Sequence, residues 1–206
     1  MLERRMLLGV TFSLSCASAA WAEIDGGSAT DFIRSLGQEL VSAIDSSDPI
    51  ARRREKVAAI LRRKVDIDGV GRFILGRWWR QASPAEHQEY LRLFEETLVN
   101  NLSARLGEYR GVRFSLDRAP QRSEDGVLVN TVVVRPSAAP LSLDWRVGEV
   151  GGQPKVVDVI AEGTSLRLTQ RSEYSSVIQN HGGQVAALLA AMRSQLQQLA
   201  ARDQGR

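Results

Sequence analysis

The residues of this chain that could do acid–base or metal chemistry are few and scattered. Its two histidines, His87 and His181, lie far apart and lack metal-ligand neighbours at the usual spacings, which favours surface or capping roles over zinc binding. Asp144 and Asp158 fall in predicted strands, and a carboxylate buried in an apolar cavity could act as a general base. An exposed or hydrogen-bonded strand aspartate is the other interpretation.

Catalytic motifs are also missing from the sequence. It contains no Gly-x-Ser-x-Gly elbow and no glycine-rich phosphate loop. We therefore predict no catalytic residue, no metal site and no cofactor. A small cavity enzyme that uses Asp144 or Asp158 is kept as a competing hypothesis.

Apolar side chains are instead concentrated in residues 73–106. Two of the four tryptophans, Trp78 and Trp79, are adjacent there and are flanked by Arg77 and Arg80. So much ring area at one corner indicates either a core hinge or the wall of an apolar pocket. Ser83-Pro84-Ala85-Glu86 then forms a capping box with proline in the first turn. The helical stripe that follows consists of Tyr90, Leu91, Phe94, Leu98, Leu102 and Leu106.

Residues 1–22 have the features of a secretory signal peptide. Arg4 and Arg5 precede an apolar run, and small residues around Trp21 suit cleavage near Ala22. Residues 23–206 are long enough for a single domain with a sizeable core. Because the only cysteine, Cys16, lies in the removed segment, we expect no disulfide. We predict an exported, soluble protein.

The charge of the chain limits its partners. A net charge of only +3 at pH 7 lacks the strong basic stripe of a nucleic-acid-binding protein. Basic residues do cluster in a predicted second helix, 48–65, which contains Arg52-Arg53-Arg54. Adjacent charges point in different directions around a helix, which favours a solvated surface. Docking to acidic partners or anionic headgroups, as in a structural adaptor, is a third hypothesis.

Changes of hydrophobic period divide the chain into helices, a sheet and further helices. Apolar spacing predicts a helix over 29–44 and a second helix that Asp48 and Pro49 begin, followed by a turn-like connector over 66–71. Beyond the sheet, two more helices are separated by Gly182-Gly183. Alternating residues predict four strands, at 112–116, 127–135, 141–147 and 155–161.

Short turns between these strands favour an antiparallel meander. In the third strand, four apolar residues share one face, so one side of the sheet should be covered: Leu141, Leu143, Trp145 and Val147. We predict an α+β fold, a four-stranded antiparallel sheet with helices packed on one face. Whether the apolar surfaces close into an ordinary core or enclose a cavity is left open by periodicity.

Two blocks of the sequence resemble a known family. Residues 73–86, Phe-Ile-Leu-Gly-Arg-Trp-Trp-Arg-Gln-Ala-Ser-Pro-Ala-Glu, are similar to the leucine-glycine, aromatic-pair and serine-proline pattern of the MlaC family of periplasmic phospholipid-binding proteins, also called toluene-tolerance proteins. Residues 156–166, Val-Val-Asp-Val-Ile-Ala-Glu-Gly-Thr-Ser-Leu, are similar to a second block of that family, continued by 170–174 and 177–178. The resemblance covers roughly 29–195.

The resemblance implies a hydrophobic pocket that encloses the acyl chains of a glycerophospholipid. It also implies a periplasmic carrier that shuttles lipid between an outer-membrane lipoprotein–porin complex and an inner-membrane ABC transporter with an MCE-domain protein, and so supports outer-membrane lipid asymmetry. A hopanoid-associated sister branch shares both blocks. Trp78 and Trp79 stand where MlaC proteins often carry tyrosines, so a hopanoid or another polycyclic lipid is the alternative ligand.

Together, the stripe and the resemblance define the expected site. The arginines expected at the pocket mouth are Arg77, Arg80 and Arg105. The residues expected to contact lipid are Phe73, Leu75, Trp78, Trp79, Tyr90, Phe94, Leu98, Leu102, Trp145, Val147, Ile160, Tyr174, Val177 and Ile178.

Overall fold

The computed structural model of the chain describes residues 24–103, 111–136 and 138–204. Helices precede and follow a single antiparallel sheet. The helices are α1 Gly26–Asp45, α2 Ile50–Lys64, α3 Ile67–Leu75, a 3-10 helix Gly76–Arg80, α4 Pro84–Ser103, α5 Leu166–Asn180 and α6 Val185–Gln204. Among these, none is long and apolar enough to cross a membrane. The predicted signal peptide and Arg105 lie outside the described residues.

Side-chain caps begin several of these helices. The Asp25 carboxylate accepts from the backbone N–H of Gly27 and Ser28 at the start of α1. At α4, the predicted capping box is confirmed, since Ser83 N donates to Glu86 Oε2 at 2.8 Å and Glu86 N donates to Ser83 Oγ at 3.3 Å. Each such cap satisfies backbone donors that the first turn leaves unpaired.

The expected cap of α2 is wrong. Pro49 is the N-cap and makes no side-chain capping bond, because proline supplies the fixed backbone angle but no capping oxygen. The Asp48 carboxylate instead forms an ion pair with Lys56, the seventh residue of the same helix. Proline therefore sets where α2 begins, and Asp48 anchors its first turns.

The turn expected over 66–71 is wrong as well, because α3 begins at Ile67. Asp66 caps the helix by accepting from Gly69 N at 3.1 Å. Gly71 is buried against α4, where a Cβ would lie 2.8 Å from Leu91 Cδ2. Glycine lowers helix propensity, yet here its missing side chain allows α3 to pack closely on α4.

The sheet has the strand order β1-β3-β4-β5-β6, with β2 also paired to β3, and every pair is antiparallel. The four predicted strands correspond to β1, β3, β4 and β5, and the predicted α+β class is confirmed. Two short strands were not predicted, because segments of two or three residues carry no readable period. The strands are β1 Arg113–Leu116, β2 Gln121–Ser123, β3 Gly126–Arg135, β4 Ala138–Val150, β5 Gln153–Ala161 and β6 Thr164–Ser165.

A bulge shifts the register between β4 and β5. Arg146 pairs with Asp158, whereas the next residue, Val147, pairs with Val156. The extra residue in β5 is Val157, and a bulge of this kind bends the strand and redirects a side chain. As a result, Val156 joins the buried face of the sheet, while Val157 lines a cleft on the surface.

Buried side chains form two clusters. The first, which we call the sheet core, packs α1 and α2 on one face of the sheet; its buried members are Ile24, Ala29, Ile33, Leu36, Ala43, Ile44, Val57, Ile60, Val127, Val129, Val147 and Val156. The second, the helical core, joins α3, the 3-10 helix, α4, α5 and α6; its buried members are Ile67, Ile74, Leu75, Trp78, Tyr90, Leu93, Phe94, Tyr174, Ile178, Val185, Leu188, Leu189 and Met192.

Candidate functional site

A cleft of 590 Å³ opens between α3 and the turns at one end of the sheet. Its volume falls in the range of roughly 300–1,000 Å³ that small-ligand sites occupy. The residues that line it are Ile24, Asp66, Gly69, Val70, Phe73, Glu124, Asp125, Gly126, Gly148, Glu149, Val150, Gly151, Gly152, Val157 and Arg167.

The apolar side of the cleft comes from two elements. α3 contributes Val70 and Phe73, which lie one turn apart. The β4–β5 hairpin contributes Val150 and the bulged Val157. Val70 and Phe73 also pack, partly buried, against the helical core. α3 is therefore the layer that separates the cleft from that core.

The charged side of the cleft centres on Arg167 at the start of α5. Its Nη2 lies 2.6 Å from Asp125 Oδ2, and its Nε lies 3.3 Å from Asp158 Oδ2. Its guanidinium also lies 4.3 Å from the centre of the Phe73 ring, a cation–π geometry. This one side chain thus joins the β2–β3 turn, β5 and α3.

Asp158 is buried and hydrogen-bonded through both carboxylate oxygens. Its side chain is 1% exposed, and it accepts from Ser165 Oγ at 2.7 Å and from Arg167 N at 3.2 Å. Arg146 Nε lies 4.0 Å away. A carboxylate that accepts one hydrogen bond on each oxygen and lies beside two arginines is held in place by its surroundings, which is the geometry of a structural anchor.

Asp144, the other aspartate considered for catalysis, lies on β4 in a polar cluster. It accepts from Asn130 Nδ2 at 2.7 Å, and the Asn130 amide also donates to Ser142 Oγ at 3.1 Å. Arg118 Nη2 is 4.0 Å from the Asp144 carboxylate. Asp144 and Asp158 are each held in a separate set of hydrogen bonds, and neither lines the 590 Å³ cleft.

Most of the expected lipid contacts lie in the helical core, packed against one another. The Tyr90 hydroxyl donates to Gly71 O at 3.0 Å, and its ring is 6.0 Å from Phe94 and 6.2 Å from Tyr174. Burial raises the pKa of Tyr90, and it raises the pKa of Tyr174 to about 12. Also buried there are Leu75, Trp78 and Ile178, while Phe73, Trp79, Leu98 and Val177 are partly buried against them.

Three expected contacts belong to the other cluster, and one belongs to neither. Val147 is buried in the sheet core, with Trp145 and Leu102 partly buried against it. Trp145 Nε1 donates to Thr131 Oγ1 at 2.8 Å. Ile160, which pairs with Asp144 across β4, belongs to neither core. The expected lining is therefore divided between two cores, and only Phe73 of the set lines the cleft.

The two tryptophans of the aromatic pair have separate environments. Trp78 is 8% exposed, and its Nε1 donates to Ser175 Oγ at 3.2 Å. Trp79 stacks on the His87 ring at 3.8 Å, and His87 Nε2 lies 2.7 Å from Trp79 O. The pair ties the 3-10 helix to α5 on one side and to α4 on the other.

Arg77 and Arg80, expected at the pocket mouth, are exposed and do not line the cleft. Arg167 lines it instead. Sequence analysis missed this arginine, although it directly follows the second family block and lies two residues after the helix cap Ser165, whose Oγ accepts from Leu168 N at 3.2 Å. That position was the available signal, because a helix start beside a strand end brings its first side chains to the sheet edge.

Metal ligation has no geometric basis in the described part of the chain. His181 Nδ1 lies 2.7 Å from Val177 O one turn earlier in α5, and His87 is stacked on Trp79. No group of three or more His, Cys, Asp or Glu residues gathers among the described residues.

Comparisons with known proteins place the chain more narrowly. Residues 34–194 match the family described as MlaC protein. The toluene tolerance protein ttg2D of Pseudomonas putida is 26% identical over 121 residues, which are 57% of this chain and 55% of that protein. The chain thus spans about half the length of the curated relative it matches.

A solved structure supplies a likeness of fold. It is described as the phospholipid-binding protein from Ralstonia solanacearum in complex with a phospholipid. The match has a TM-score of 0.72 at 23% identity and covers 84% of this chain and 98% of that one. At this level of identity the likeness concerns the fold.

Proposed function

This chain belongs to the MlaC family, and from that premise we propose that it is a non-enzymatic carrier of phospholipid. It holds the acyl chains away from water and moves lipid through the periplasm between the inner and outer membranes. Its partners in this proposal are an inner-membrane ABC transporter with an MCE-domain protein and an outer-membrane lipoprotein–porin complex. The fold it shares with a protein solved in complex with a phospholipid supports this assignment.

The physical need for such a carrier follows from the cost of exposing acyl chains. Each CH₂ group kept from water contributes about 0.8 kcal/mol, so a lipid with two chains leaves a bilayer very slowly unaided. A protein that offers an apolar site lowers that barrier without any covalent step. Catalytic groups are then unnecessary, and the carboxylates of Asp144 and Asp158 both accept hydrogen bonds within the fold.

The observation that carries the proposal is the position of Phe73 and Val70. Both face the 590 Å³ cleft and both pack against the helical core. We propose that acyl chains enter along this side of α3, with Phe73 as a first contact, and that the expected contacts in the helical core lie deeper along the same path. Arg167 also lines the cleft but pairs with Asp125 and Asp158, so in this proposal it shapes the wall of the cleft.

We propose phospholipid, and not a polycyclic lipid, as the ligand. The alternative depends on a broad, flat aromatic wall, but Trp78 is buried beside Ser175 and Trp79 is covered by His87. Neither ring lines the cleft. The identity of the bound lipid separates the two ligands directly.

The test is organic extraction and mass spectrometry of protein purified from cell envelopes without added lipid. We expect phospholipid close to one molecule per chain. Val70→Trp should fill the cleft and lower that content, whereas Leu40→Trp, which adds a ring at a partly buried site of the sheet core, should leave it near the wild-type level. Wild-type protein without lipid would refute the carrier function, and extraction of a hopanoid would replace the phospholipid assignment.

A further inference from the structure

Three exposed arginines around the 3-10 helix stack on aromatic rings. The guanidinium carbon of Arg72 lies 5.1 Å from the Trp79 ring, and that of Arg77 lies 4.5 Å from the Trp78 ring. That of Arg171 lies 5.0 Å from the Phe73 ring. Within residues 24–103, 111–136 and 138–204, none of these arginines forms a salt bridge. Their charges are thus available to an external anion.

Arg77 and Arg80, on the 3-10 helix, and Arg171, on α5, are exposed where these two elements meet, and we call these three residues the arginine face. Side chains three residues apart in a 3-10 helix eclipse one another, so Arg77 and Arg80 project on the same side. Arg171 approaches the same 3-10 helix from α5 at its first residue, because its Nη2 lies 3.0 Å from the position that a Cβ on Gly76, which precedes Arg77, would take. The cluster therefore combines charges from two elements.

Exposed leucines adjoin the arginine face. Leu166 and Leu168, at the start of α5, are 49% and 55% exposed. Leu168 lies three residues before Arg171 and so projects from the same side of the helix. Glu173 lies two residues after Arg171, on a different side, and its carboxylate accepts from Gln170 at 2.9 Å. Arginines beside exposed leucines are typical of surfaces that bind at a membrane interface.

The basic residues near the end of α2, unlike those of the arginine face, are paired with carboxylates. Arg62 Nε lies 2.6 Å from Glu95 Oε1, and Lys64 Nζ lies 3.1 Å from Glu39 Oε1. Arg63 pairs with Glu39 as well. An external anion would have to compete with these carboxylates, so α2 is the weaker candidate for docking.

We propose that the arginine face, with Leu166 and Leu168, docks the protein on a bilayer surface that carries anionic headgroups. The inference rests on the proposed carrier function, because docking serves to bring the cleft to its lipid source or target. Phe73 links the two features, since its ring lines the cleft and lies under both Arg167 and Arg171. Docking through Arg171 therefore places the Phe73 side of the cleft close to the bilayer.

The experiment is co-sedimentation of the exported protein with vesicles. Vesicles of equal parts phosphatidylglycerol and phosphatidylcholine should bind it, more weakly as salt is added. The double variant Arg77→Gln/Arg171→Gln should lose about 25-fold in affinity, at about fivefold per arginine. Leu168→Ser should also weaken binding. The double variant Arg52→Gln/Arg113→Gln has the same change of net charge at exposed sites elsewhere and should bind as the wild type does.

Several results would overturn the proposal. Equal binding to vesicles of pure phosphatidylcholine would do so, as would equal losses of affinity in the two double variants. No vesicle binding by the wild type would also do so, and it would assign the face to an acidic protein partner. Arg77→Lys/Arg171→Lys keeps the charges and should restore binding, which separates docking from misfolding. Lipid content is measured on the same samples: retained lipid with lost vesicle binding supports docking, whereas lipid-free wild type counts against the carrier function alone.

Discussion

The guanidinium group of Arg167 lies 4.3 Å over the Phe73 ring. This contact joins α5 to α3 across the edge of the cleft, and the same arginine is paired with the buried Asp158. This side chain both links elements of the fold and lines the candidate site, so it must stay fixed for the cleft to keep its shape. Stability and lipid binding are therefore coupled at this position.

Arg167→Met should lower the free energy of unfolding by about 3 kcal/mol, because it leaves the Asp158 carboxylate buried with less of its compensating charge. Urea unfolding measures the loss. Arg171→Met is the matched control, since it removes the other guanidinium over Phe73, which has no carboxylate partner in the described chain, and should cost under about 1 kcal/mol. Equal losses would show that the Asp158 pairing is unimportant.

Tyr90→Phe should lower the free energy of unfolding by about 1–3 kcal/mol, because the Gly71 carbonyl would lose the donor it meets at 3.0 Å in a buried site. Tyr174→Phe removes a hydroxyl for which the described residues provide no hydrogen bond, so its effect should be close to zero. Both variants keep the ring contacts. A Tyr90→Phe protein as stable as the wild type would contradict the assigned bond.

Gly126→Ala should be strongly destabilising, by about 3 kcal/mol. Gly126 has a φ of 131°, and a Cβ there would lie 2.2 Å from the carbonyl oxygen of Val147. Gly152→Ala, at a φ of 73° with nothing within 4 Å, should cost only about 1 kcal/mol for the left-handed backbone. Thermal and urea unfolding of the two variants test whether the close approach, and not φ alone, requires glycine.

The capping box predicts a pH dependence of stability. Hydrogen bonds from the Ser83 backbone and then its hydroxyl hold the pKa of Glu86 below its ordinary value of 4.5. A lowered folded-state pKa contributes stability above the unfolded value, and the contribution is lost as pH falls through the folded value. Glu86→Gln should thus cost about 0.5 kcal/mol at neutral pH, and nothing at about pH 2.

The check is urea unfolding at both pH values. Glu55→Gln, at an exposed site on α2, serves as the control and should leave stability unchanged at either pH. A cost for Glu86→Gln that persists undiminished in acid would mean that shape, and not charge, governs the cap.

The features that could be read from the sequence are those with a strong local signal. The Ser83–Glu86 box fixed the start of α4 because its residue types and spacing belong to one structure. Alternation located β1, β3, β4 and β5 for the same reason. α3 was not predicted because Gly69 and Gly71 suggest a turn. In the structure Gly69 leaves room for the Asp66 cap, and Gly71 allows contact with Leu91 of α4, which is distant in sequence.

The candidate site was predictable only in part, for a related reason. Periodicity predicts that Tyr90 and Trp145 lie on the buried faces of their helix and strand, but not which of the two cores each side chain joins. The bulge that turns Val157 into the cleft is a register effect between strands and has no signature within β5 alone. Arg167 likewise gains its importance from Asp158 and Phe73, which only the fold brings to it.

The last prediction concerns how far into the helical core the lipid path extends. Leu98 is partly buried there, and Leu98→Trp adds ring volume on the proposed path of the acyl chains, so lipid content should fall more than stability does. Leu40→Trp makes the same change at a partly buried site of the sheet core and should leave lipid content near that of the wild type. Mass spectrometry of extracted lipid and urea unfolding are compared for both variants. If Leu98→Trp lowers lipid content and stability in parallel, the part of the helical core around Leu98 is ordinary core, and the acyl chains are confined to the cleft side of α3.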